Sequence, residues 1–190
     1  MTQNQRPPFL PSPLSPPPHL PQVGGNAYFG RRPDAELMVR WAQTNALMPA
    51  IQFSIPPWDT GDDAAALVAA ALAVRARFAP LLHALADAAS SSLTPITRPL
   101  WWLAPDDPNT HAVDDAFALG DDVVVAPVMD KGAVARDVYL PAGAWRDADG
   151  DGSGPLLAGG AWLRDYPAPL AKLPVFVRAG SGAPGAGSLP

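Results

Sequence analysis

Residues 50–59 read AIQFSIPPWD, and the class of fold turns on what that run is doing. Alternation along a strand puts Gln52 and Ser54 on one face and Phe53 on the other. Pro56 and Pro57 have no N–H to give to a ladder, so the strand stops there. A strand that halts with two polar side chains and a tryptophan, Trp58, at its exit has the character of a binding-site lip. Its apolar entry, straight from a helix, is that of a parallel-sheet strand. A lone strand of that kind has two open edges and needs neighbours.

The flanking sequence fits. Asp34 suits an N-cap and Glu36 the positive end of a helix running to about Met48. Leu37, Trp41, Thr44 and Met48 share one face of it, with Met38 and Ala42 beside them. Pro49 ends this helix. A second covers about Asp62 to Ala89, stepping through Leu67, Ala71, Val74, Phe78, Leu81 and Leu85, with a kink expected at Pro80. Loop, helix, strand and helix do not make a domain, so residues 23–92 look like the end of a larger α/β sheet or barrel. They are expected to be looser than residues 93–181.

From residue 93 the period becomes strand-like. PITRPLWWL, DVVVAPV, ARDVYLP, AWLRDY and LPVFVRAG are short β-rich runs separated by Gly, Pro and Asp, the pattern of an antiparallel sandwich.

Composition narrows the function. The chain has 190 residues, a net charge of −5 and no cysteine, so it offers neither a basic stripe for nucleic acid nor a disulfide or zinc-thiolate framework. Eight of its 25 prolines fall in the first 21 residues, so residues 1–22 read as a disordered, proline-rich leader that can dock to a proline-reading domain. The longest apolar run, residues 64–74, is too short for a membrane span, and no signal peptide is evident. The reading is a soluble chain of unassigned compartment, with 182–190 a flexible tail.

Several segments together carry a resemblance. AELMVRWAQTNALMP, RFAPLLHALADAASSSLTPITRPLWW, DDAFALGDDVVVAPVMDKGAVARDVYLPAGAWRD and KLPVFVRAGS resemble the C-terminal part of glycoside hydrolase family 31, the α-glucosidase-like enzymes. QFSIPPW resembles an α-galactosidase-like branch of it. The resemblance implies α/β plus all-β architecture: the last units of a (β/α)8 barrel over 23–92, then an antiparallel β-sandwich over 93–181. Residues 52–59 would sit at the carboxyl end of the eighth strand, where barrel enzymes keep their chemistry. Gln52, Ser54 and Trp58 are then the substrate-binding candidates. Retaining members use two aspartates as nucleophile and acid/base, and the resemblance places both upstream of these residues. A further substrate-binding Asp usually precedes Gly24–Gly25, where this chain has Pro21, Gln22 and Val23. Many members also have His where Ser54 stands. No catalytic residue, metal or cofactor is therefore assigned. A carbohydrate substrate is expected only together with the missing barrel half. The alternative is a non-catalytic carbohydrate-binding or scaffold protein whose leader recruits partners.

Other motifs have plainer readings. DADGDG at 147–152 spaces Asp147, Asp149 and Asp151 like a calcium loop, but Ala158 occupies the place of the bidentate Glu, so a solvated turn fits better. GSGAPG at 180–185 has no helix behind it to hold a phosphate. Trp101 and Trp102 are read as neighbours in a strand, one in the core and one at the barrel–sandwich contact or surface. Asp106/Asp107, Asp114/Asp115 and Asp121/Asp122 suit turns rather than catalytic pairs. His19, His83 and His111 lack metal-ligand spacing.

Overall fold

In a computed structural model the described residues are 22–23, 32–148, 155–181 and 183. The proline-rich leader (1–21), Gly24–Gly25, Asp149 and Asp151 of the calcium-like run, and most of the tail lie outside them.

The chain begins with a βαβ unit. β1 (Gln22–Val23) pairs parallel with β2 (Gln52–Phe53), and α1 (Ala35–Ala46) connects them. β2 thus has a neighbour on one side, and Gln22, expected to close the leader, is a strand residue. Asp34 caps α1 as expected, accepting from the Leu37 N–H at 2.9 Å. The buried face of α1 is not the one the periodicity suggests. Met38, Val39, Ala42 and Ala46 are buried, while Leu37 is 41% exposed.

A 3₁₀ turn (Pro57–Thr60) leads into α2 (Asp62–Ser92), which continues through Pro80 as one helix. At 31 residues α2 is long and apolar enough to cross a membrane by length and composition, so the run at 64–74 understates it. In this fold one face of it is buried, through Ala64, Val68, Ala71, Phe78 and Leu82, and two of its arginines bond within the chain. Arg75 donates to the carbonyls of Ala46, Met48 and Pro49 at 2.9, 2.6 and 3.0 Å, capping the end of α1 from the side. Arg77 donates to Ala148 O at 2.6 Å.

The rest is antiparallel. β3 (Thr97–Arg98), β4 (Phe117–Leu119), β5 (Val123–Val125), β7 (Ala144–Asp147), β8 (Leu156–Ala158) and β10 (Val175–Arg178) form one six-stranded sheet in the order β3-β4-β5-β10-β7-β8. β6 (Ala135–Leu140) and β9 (Ala161–Pro167) form a second, two-stranded layer with an irregularity between Arg136 and Val138. Two short helices, α3 (Leu100–Leu103) and α4 (Pro108–His111), join β3 to β4.

Both faces of the large sheet are covered, which explains why VVV and VFV run without alternation. Val124, Ala118 and Phe176 pack towards Val138, Tyr139 and Leu140 of the second layer. Val123, Val125, Val175 and Val177 pack with Phe78 and Leu82 of α2. The segment before residue 93, expected to be the looser part, does pack on the sheet through α2. Phe78 is fully buried against the sheet, a contact worth about 1.5–3 kcal/mol.

The tryptophan pair is a second correction. Pro99 ends β3 and opens the turn of α3, so Leu100 enters the core and both tryptophans stay outside. Trp101 and Trp102 are 44% and 43% exposed, their ring centroids 6.1 Å apart.

Candidate functional site

Because β1 and β2 run parallel, they end on the same edge. At that edge Val23 O accepts both the Ser54 N–H at 3.0 Å and the Ser54 hydroxyl at 3.1 Å. Ser54 therefore ties the two strands together, with its oxygen lone pairs left to accept. Gln52 is exposed. Two residues past the strand the chain turns tightly: Asp59 N donates to Pro56 O at 3.1 Å, Thr60 Oγ1 to Pro57 O at 2.7 Å, and Gly61 N to Trp58 O at 3.2 Å. The turn holds the Trp58 ring out, 67% exposed, so Trp58 is no core anchor. Asp59 lies 3.0 Å from Arg32, so the rim carries an exposed ion pair, of a kind worth under about 1 kcal/mol.

Behind this edge α1 is pinned to the sheet domain by a group the sequence reading passed over. Arg40 is 7% exposed. Its guanidinium donates to Ala133 O and Ala168 O at 3.0 Å and to Pro169 O and Lys172 O at 3.3 Å. Gln43 Nε2 adds a bond to Leu170 O at 2.7 Å. Burial pulls the Arg40 pKa below its ordinary value, opposed by nearby Glu36. The available signal was an arginine beside Val39 and Gln43, inside the buried arc of an amphipathic helix.

The acidic pairs act as turns and ion partners. Asp107 caps α4, accepting from Asn109 N at 3.0 Å, and takes the Tyr139 hydroxyl. The Tyr139 bond is the main reason its carboxyl pKa is lowered. Asp115 meets Arg136 at 2.8 Å, Asp121 meets Arg98, and Asp122 meets Arg178 at 3.5 Å. Asp147, first residue of the calcium-like run, accepts from Lys172 Nζ at 2.7 Å and from the Tyr166 hydroxyl. Among the described residues no group of three His, Cys, Asp or Glu could hold a metal.

Residues 93–181 match the family model described as the glycosyl hydrolase family 31 C-terminal domain. The chain is 44% identical over 165 residues to the mouse myogenesis-regulating glycosidase, covering 81% of this chain and 22% of that one. The chain belongs to glycoside hydrolase family 31. It is 39% identical over 160 residues to the SITS-binding protein of Tetronarce californica, covering 82% of this chain and 22% of that one. A family 31 α-xylosidase from a soil metagenome, solved with xylose, superposes with a TM-score of 0.72 at 27% identity, covering 85% of this chain and 26% of that one. The chain thus spans about a quarter or less of the relatives it matches.

Proposed function

We propose that residues 23–92, with Gln22, are the last two βα units of a (β/α)8 barrel, and that the carboxyl end of β2 forms part of the wall of its glycoside pocket. The carrying observation is the parallel β1–α1–β2 unit, which puts Gln52, Ser54 and Trp58 at one strand end in a chain of this family. In a βα barrel that edge faces the substrate. Trp58 offers an apolar ring face for the C–H side of a sugar, and Gln52 and Ser54 offer an amide and a hydroxyl oxygen for its hydroxyls. The substrate class is an α-glucoside or α-galactoside, hydrolysed with retention.

That chemistry needs two carboxylates about 5–5.5 Å apart as nucleophile and acid/base. The family motifs assign neither to this chain, and Asp59 at the rim is paired with Arg32. This chain therefore supplies one wall of the pocket and, alone, turns nothing over. The exposed Trp101–Trp102 pair favours a second reading, a non-catalytic carbohydrate-binding protein.

The test is a graft of residues 22–181 in place of the matching segment of the mouse relative. Gln52→Ala should weaken substrate binding about ten- to a hundredfold, as expected when a buried sugar hydroxyl loses its partner. Trp58→Ala should raise KM without lowering the melting temperature. Normal kinetics in both variants would refute the assignment.

A further inference from the structure

Consecutive residues of one turn in the sheet domain hold the first half of α1. The turn Asp130–Ala133, between β5 and β6, closes with Ala133 N donating to Asp130 O at 3.3 Å. Lys131 Nζ reaches Asp34 Oδ2 at 2.5 Å, Gly132 N donates to Glu36 Oε1 at 2.7 Å, and Ala133 O accepts from Arg40 at 3.0 Å. Gly132 stands at φ +78°, a conformation that residues with a Cβ resist. Arg40 and Gln43 already secure α1 from its buried side. The Lys131–Asp34 pair, its side chains 75% and 48% exposed, adds little to stability. Its position is the informative part. α1 follows β1, so its N-terminus lies on the edge where β1 and β2 end and where Ser54 and Trp58 stand.

From Asp34 the chain runs back through Pro33, which is buried, to Arg32. The proline ring fixes its own φ and holds Arg32 to extended backbone, so these residues move as one piece. Asp34 has little slack, because its other oxygen caps Leu37 N at 2.9 Å. Arg32 Nη1 donates to Asp59 Oδ2 at 3.0 Å, in the 3₁₀ turn that carries Trp58. We infer that the turn Asp130–Ala133 is a positioning element for the glycoside pocket. Lys131 and Gly132 act through Asp34, Pro33 and Arg32 to set where Asp59 holds the Trp58 ring. The inference rests on the pocket reading of the β2 edge. The barrel strand supplies the ring and a loop of the sheet domain aims it.

The graft of residues 22–181 in the mouse relative carries the kinetic test. Lys131→Met should raise KM about three- to fivefold, the most that an exposed pair can spend on orientation, with kcat and melting temperature unchanged. Arg32→Met should do the same, and the double variant should be no worse than either single, because both cut one line of contacts. Lys131→Arg should restore the parent KM. Added salt should raise the parent's KM towards that of Lys131→Met and leave the variant's unchanged. Additive effects of the two single variants, or a normal KM for Lys131→Met, would overturn the inference. A second readout needs no turnover. In the full chain labelled with fluorotryptophan, the Trp58 resonance, identified by its loss in Trp58→Phe, should shift with Lys131→Met while that of buried Trp145 stays put. An unmoved Trp58 resonance would overturn the inference even where Gln52→Ala and Trp58→Ala behave as proposed. A resonance that moves, in a graft whose KM ignores Trp58→Ala, would instead refute the pocket reading beneath it, so the two failures are distinguishable.

Discussion

Replacing Arg40 by methionine keeps most of its stem and removes the guanidinium donors that bind α1 to the loops at 133 and 168–172, leaving the Gln43 bond to Leu170 O. Two of its carbonyl acceptors, Ala133 O and Ala168 O, lie at 3.0 Å, and two more lie at 3.3 Å. A hydrogen bond to a charged donor is worth about 1.5–3 kcal/mol, and an orphaned buried carbonyl carries its own desolvation cost. Against this, the variant no longer buries a cation, which recovers part of the loss. Counting the two short bonds fully and the longer two weakly leaves a net destabilisation of about 3 kcal/mol. For a chain this size each kcal/mol moves Tm by about 2–4 °C, so Arg40→Met should melt about 6–12 °C lower. Circular dichroism melts of the full chain measure the shift, and hydrogen exchange locates it. Protection should fall most at 168–172 and in α1, with β5 and β10 least affected. Arg40→Lys should fall between, because one ammonium cannot span four acceptors in the plane of the guanidinium. A melt within about 0.5 kcal/mol of the parent, the range of an inert surface change, would refute the clamp.

Burial and the Asp147 bond push the Tyr166 pKa up to about 12. Lys172 is also raised, its bonds to Asp147 and Tyr166 outweighing the opposing effect of burial. Both folded pKa values exceed the unfolded ones, so this stability is complete below about pH 10 and drains away as pH climbs towards 12; urea titrations across that range should show the slope, and Tyr166→Phe should flatten it. A Cβ at Gly159 would lie 2.0 Å from Pro141 O and 2.7 Å from Trp145 Nε1, so Gly159→Ala should cost about 2 kcal/mol or more by forcing β8 off β7, read as a lower midpoint in urea. Asp34→Ala should cost about 1 kcal/mol through the lost cap of α1, visible as faster exchange in its first turn.

Much of this architecture was legible because local signals and burial agreed. Asp34 and Pro49 bracket α1, and the runs at 123–125, 135–140, 161–167 and 175–178 are strands where the β-rich composition put them. Three-residue strands such as β4 and β8 carry too little sequence to show a period, and only their partners define them. Pro99 illustrates the opposite failure: PITRPLWWL reads as one strand straight through it, yet it starts a helical turn that throws both tryptophans outward. At the candidate site the residue types were legible but their commitments were not. Ser54 spends its hydroxyl proton on Val23 O, 31 residues away. Arg40 reaches carbonyls about 130 residues on, a pairing that no local pattern encodes.

Turnover by the graft bears most directly on the central claim, that residues 22–181 complete a family 31 barrel and its pocket. Aryl α-glucosides and α-galactosides are offered to the graft, to the intact mouse relative and to this chain alone. Any substrate cleaved by the relative should be cleaved by the folded graft, Gln52→Ala should weaken that cleavage, and this chain alone should stay at the blank. A folded graft that fails on every substrate its host accepts, or hydrolysis by this chain alone, would contradict it.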